Sequence, residues 1–70
     1  MTMYTITFHP TGRRTAESNV YIWDVDFKEY GVEESGLIGA VKTFEAIASR
    51  NWGTYETMYA ITDIKVFDRH

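Results

Sequence analysis

Asp24 and Asp26 stand two residues apart in NVYIWDVDF, a segment rich in β-branched and aromatic residues. On a strand their carboxylates point the same way, roughly 7 Å apart. Paired acids of this kind can serve as acid and base, or hold a divalent cation with a third ligand such as His9. No third acid accompanies them at motif spacing, so they read as the solvated side of a strand, with no catalytic residue assigned. Two histidines, His9 and the terminal His70, no cysteine and no HExxH spacing leave no metal site expected. Ser18, Ser35 and Ser49 lie in no nucleophile elbow, and Gly36 and Gly39 form neither a dinucleotide fingerprint nor a phosphate loop. Neither enzyme activity nor a cofactor is expected.

What remains is contact chemistry. Arg13 and Arg14 sit in PTGRRTAESN, a loop marked by Pro10 and Gly12, where guanidinium groups can clasp phosphates or a partner's carboxylates. Eleven of the 70 residues are aromatic (two Trp, five Tyr, four Phe), more than one small interior shelters. Trp52 and Tyr55 are the anchors expected at a surface, with Asp24, Asp26, Glu33 and Glu34 as charged contacts. Aromatic anchors rimmed by acids suit a basic partner protein, or the nucleic-acid groove of a partner, which the acids would imitate. Ten acidic residues against seven basic ones, a net charge of −3, disfavour a protein whose main task is coating nucleic acid.

These residues must be carried on a small scaffold. Residues 36–51, GLIGAVKTFEAIASRN, repeat apolar positions at helical spacing. Leu37, Ala40, Val41, Phe44, Ile47 and Ala48 form the expected inner side, with Phe44 as anchor, while Gly39, Thr43 and Ala46 fall on the back and Ile38 at an exposed flank. Residues 3–9 alternate as a half-buried strand does, with Tyr4, Ile6 and Phe8 on one side. Residues 19–27 are the expected second strand, with Tyr21, Trp23, Val25 and Phe27 toward the helix; the opposite parity would bury Asp24 and Asp26 beside Val20 and Ile22. Residues 57–67 are the third strand, whose parity breaks between Ile61 and Ile64 unless a bulge near Thr62 and Asp63 restores it. Gly31 is placed for a positive φ in the connection before the helix.

The order strand, strand, helix, strand predicts an α+β domain. A three-stranded antiparallel sheet, order 2-1-3, has one helix packed on one face, and the other face is left open. Residues 1–70 form a single domain, which buries only about 60% of its unfolded surface. No apolar run suits a bilayer span or signal sequence, and the missing cysteines make the cytoplasm the expected compartment. The helix back or the open sheet face could also join two copies as a homodimer.

In general build the chain resembles the small accessory proteins of bacteriophages and mobile elements, including the anti-CRISPR group. The features that carry the resemblance are the compact strand-strand-helix-strand order, the start MTMYTITFHPTGRR, the absent cysteines and the acidic, aromatic surface. It implies a non-enzymatic inhibitor that occupies the surface of a host defence or nucleic-acid-processing complex. The alternative is a small nucleic-acid-binding protein that uses the Arg13 and Arg14 loop with aromatic side chains as stacking platforms.

Overall fold

The computed structural model describes residues 2–10, 17–51 and 59–68. Strand β1 (Thr2–Pro10) pairs antiparallel with β2 (Ser18–Trp23) on one side and with β3 (Tyr59–Asp68) on the other, giving the expected order 2-1-3. Two helices, α1 (Asp24–Glu29) and α2 (Gly36–Asn51), lie between β2 and β3. The architecture is α+β with a ββαβ path, to which α1 is a short addition.

Alternation in β1 works as its pattern predicts: Tyr4, Ile6 and Phe8 are buried and meet Ile22, Phe27, Ala40, Phe44 and Ile47 in one core. The Phe44 ring lies 4.9 Å from that of Phe8 and 6.4 Å from that of Tyr59, so α2 is anchored over the C-terminal half of β1. In β3 the register passes from Asp63 opposite Thr7 to Ile61 opposite Phe8, leaving Thr62 as the extra residue of a bulge. The Thr62 hydroxyl donates to the Thr7 carbonyl at 3.3 Å. The bulge sets Ile61, Ile64 and Val66 opposite Phe8, Ile6 and Tyr4, on the core side.

The second strand differs from its expected span: it ends at Trp23, and residues 24–29 turn into α1. Trp23 is still extended, at φ −99° and ψ 156°, and its N–H donates to Oδ2 of Asp26 at 2.9 Å. This is the reciprocal half of a capping box; the other half is missing because an indole has no acceptor. Asp24 and Asp26 thus occupy the first turn of a helix, where the positive end of the dipole favours them. Placing Val20 and Ile22 outward presumed acids on the same strand, and with the acids gone the apolar pair turns inward. Ile22 is fully buried opposite Tyr4, whereas Tyr21 is 56% exposed. Of the four residues expected to face the helix only Phe27 is buried, and it gets there from α1.

At the end of α1, Gly31 adopts φ 71°, the Gly31 N–H donates to the Lys28 carbonyl at 3.1 Å and the Val32 N–H to the Phe27 carbonyl at 2.7 Å. That pair of bonds is a Schellman termination, and it reverses the chain toward α2. Helix α2 buries Gly39, Ala40, Thr43, Phe44, Ile47 and Ala48, a side rotated from the expected one. Gly39 and Thr43, expected on the back, are buried, while Leu37 is 52% exposed. The cause is α1. A Cβ on Gly39 would collide with the Glu34 carbonyl and lie 3.0 Å from the Phe27 ring, so glycine alone lets α2 lie this close to the chain before it. Thr43 is fully buried there, and its hydroxyl finds no hydrogen-bond partner among the described residues.

Gly39→Ala separates intrinsic helix preference from packing. Alanine favours an isolated helix by about 1 kcal/mol, yet the overlap with Glu34 should cost more and leave the protein destabilised by about 1 to 3 kcal/mol. Urea denaturation should show a lower midpoint, and a midpoint unchanged or raised would contradict the close approach.

Candidate functional site

Because β1 and its neighbours pair residue for residue, the face turned away from α2 is an ordered grid. Trp23, Met3 and Phe67 form one row across the three strands, Tyr21, Thr5 and Lys65 the next, and Asn19, Thr7 and Asp63 the third. Neighbouring strands lie about 4.8 Å apart and rows on one face about 7 Å apart, so Trp23 and Phe67 stand about 10 Å from each other with Met3 between. Phe67 is 59% exposed, and no described element covers this side. The Thr7 hydroxyl donates to the Asn19 side-chain oxygen at 2.7 Å and so ties the polar row together. The surface is graded, apolar at one end and polar at the other.

Two carboxylates gather one residue beyond the apolar row. The Thr2 N–H donates to Oδ2 of Asp24 at 3.3 Å, and the Thr2 hydroxyl donates to Oδ1 of Asp68, also at 3.3 Å. Both acids act on Tyr4, whose phenol is pushed above its ordinary value by burial first, then by the charges of Asp24 and Asp68. Thr2 and Asp68 pair with the parity of Tyr4, so these acids belong to the Tyr4 side of the sheet end and not to the row of Trp23, Met3 and Phe67.

The acids singled out from the sequence are not brought together. Asp24 stands at the end of the sheet, and Asp26 is engaged in the α1 cap, so neither is on the strand face expected of them. Glu33 and Glu34 belong to the connection that leads onto α2, on the covered side of the sheet. Lys42 Nζ donates to Oε1 of Glu34 at 2.6 Å, which lowers the Glu34 pKa and raises that of Lys42; both are largely exposed, so the pair adds little stability. Arg13, Arg14, Trp52 and Tyr55 lie outside the described residues. Tyr30 is held by Arg50, whose guanidinium carbon is 5.0 Å from the ring centroid, and by a 3.5 Å hydrogen bond from the Asn51 amide. The helix back is not free for a second copy at Gly39 and Thr43, since both are buried.

Sequence reasoning missed Tyr21, Trp23, Met3 and Phe67 as one group. Their signal is the pairing register, which depends on where β2 stops. Among the described residues no group of three or more His, Asp or Glu could hold a metal, and no helix is long and apolar enough to cross a membrane. No model of a known protein family matches this chain, and neither a curated protein nor a solved structure does.

The placement of the two acids is testable through Tyr4. With its pKa raised in the folded state, the tyrosine's contribution to stability is complete below the unfolded value near about pH 10 and is lost as pH rises through the folded value. Asp24→Asn and Asp68→Asn should each lower the Tyr4 pKa, followed by the chemical shift of its ring carbon Cζ during alkaline titration. A midpoint unmoved by both substitutions would contradict the arrangement.

Proposed function

We propose that this chain is a non-enzymatic protein-binding module that docks through the uncovered sheet face. The observation that carries this reading is the row of Trp23, Met3 and Phe67, with Tyr21 beside it, on a side that no described element shields. A small domain that leaves such residues in water exposes the surface that interfaces favour: flat, aromatic at one end and able to hydrogen-bond at the other. Met3 lies between the two aromatic residues of this row, an apolar strip suited to an aliphatic or planar side chain. With exposed aromatic rings on this face and a net charge of −3 for the chain, a lysine or arginine from a basic partner protein is the complementary guest.

A partner that handles nucleic acid supplies such a basic surface. Occupying it would block the nucleic acid, as expected of an inhibitor in the manner of the phage accessory proteins that the chain resembles. The second reading, direct binding of single-stranded nucleic acid, is favoured by one observation: exposed rings on a sheet face can stack bases. It is disfavoured by charge, because Lys65 is the only lysine or arginine in the grid and Asp63 stands in the next row.

The double substitution Tyr21→Ser with Phe67→Ser tests the reading. Both side chains are more than half exposed, so the fold should survive with a stability change of no more than about 1 kcal/mol. A basic nucleic-acid-processing complex captured by the wild type and released by the variant supports the reading. Equal capture by both contradicts it. Titration with single-stranded and duplex DNA and RNA at low salt should show no binding, and binding abolished by the double substitution would favour the second reading instead.

A further inference from the structure

β3 is an edge strand. β1 pairs with one side of it, and no described strand pairs with the other, so alternate residues of its ten-residue backbone offer N–H and C=O groups outward. On the core side this edge is poorly covered. α2 lies over β1 and β2, and Val66, although opposite the buried Tyr4, is 51% exposed, while Ile64, opposite the fully buried Ile6, is only partly buried. The flank of α2 that carries Leu37 and Val41 is the one opposite Gly39 and α1, hence the one toward β3, and Leu37 is itself exposed. An unpaired backbone edge and an apolar strip therefore run side by side.

The charges on the other side of that edge select an occupant. Asp63 and Lys65 flank Ile64 and share the uncovered face. When two β3 strands pair antiparallel about a two-fold axis at Ile64, normal to the sheet, Ile64 meets its own copy, and Asp63 of each chain lies opposite Lys65 of the other. The neighbouring symmetric registers lack this match: an axis at Lys65 sets lysine against lysine, and one at Val66 sets Lys65 against Phe67. The paired stretch runs over residues 62–66 and ends at the Thr62 bulge.

We infer that the natural occupant of this edge is a second copy of the same chain, joined β3 to β3 about Ile64. The product is one six-stranded antiparallel sheet with both α2 helices on the same face, and the Leu37 and Val41 flanks approach each other above the paired Ile64 and Val66 side chains. It also doubles the uncovered aromatic face, though it does not rest on what binds there.

The test is sedimentation equilibrium on the wild type, on Asp63→Lys and on Lys65→Asp. The first substitution makes both cross-strand contacts cation against cation, and the second makes both acid against acid. The wild type should reach about twice the 8.1 kDa of one chain at tens of micromolar, and each variant should self-associate at least about tenfold more weakly. An equimolar mixture of the two variants restores both contacts and should recover the dimer to within about threefold of the wild-type affinity. A wild type still monomeric near about 1 mM, or variants that dimerise as the wild type does, or a mixture that stays monomeric, would each overturn the inference. Amide exchange on the wild type checks it without any substitution: protection within residues 62–66 should rise with protein concentration, and concentration-independent exchange there would also overturn it.

Discussion

A single hydrogen bond decides which way this domain's aromatic residues face. The Trp23 N–H donates to the Asp26 carboxylate at 2.9 Å, and at that point an extended strand becomes a helix. A bond from a backbone donor to a charged acceptor at a helix N-terminus is stronger than a neutral one, and it also satisfies a donor that the helix itself leaves unpaired. Two acids leave the strand as a result. Val20 and Ile22 can then face the core without taking carboxylates with them, and Tyr21 and Trp23 are turned to the far side. Had the strand run on to Phe27, the pleat would have favoured the opposite parity, and the uncovered face would have been acidic and aliphatic.

The same turn sets where α2 lies. Phe27 enters the core from α1, and the Schellman termination at Gly31 brings the chain back so that Glu34 and Phe27 press against Gly39. α2 is thereby drawn toward β2 and away from β3. What α2 gains at Gly39 and Thr43 it gives up at Leu37 and Val41, and β3 keeps apolar side chains in water. The two surfaces offered to other molecules, the sheet face and the β3 edge, both follow from the way residues 23–31 are folded.

Much of this was legible in the sequence because the relevant signals are local. Alternation in the first strand, the burial of Phe44, the positive φ of Gly31 and the bulge at Thr62 each depend on a few neighbouring residues and a period, and the structure bears them out. The end of β2 was not legible. VYIWDVDF is β-branched and aromatic on both sides of the break, and the capping acid lies three residues after the residue it caps, with no serine or threonine to announce the helix. The rotation of α2 was hidden for a different reason: helical periodicity marks Gly39 as a weak point, whereas its value comes from contact with α1, an element not foreseen. The candidate surface fell with these two, since Tyr21, Trp23 and Phe67 come together only once the register is known.

Both surfaces depend on which residues of β2 are buried, and denaturation of two alanine variants of adjacent residues tests this. Ile22→Ala should cost about 2 to 5 kcal/mol, as removal of a fully buried side chain does, and Tyr21→Ala no more than about 1 kcal/mol. If Tyr21→Ala proved the more damaging of the two, β2 would have the other parity, and the uncovered aromatic face would not exist.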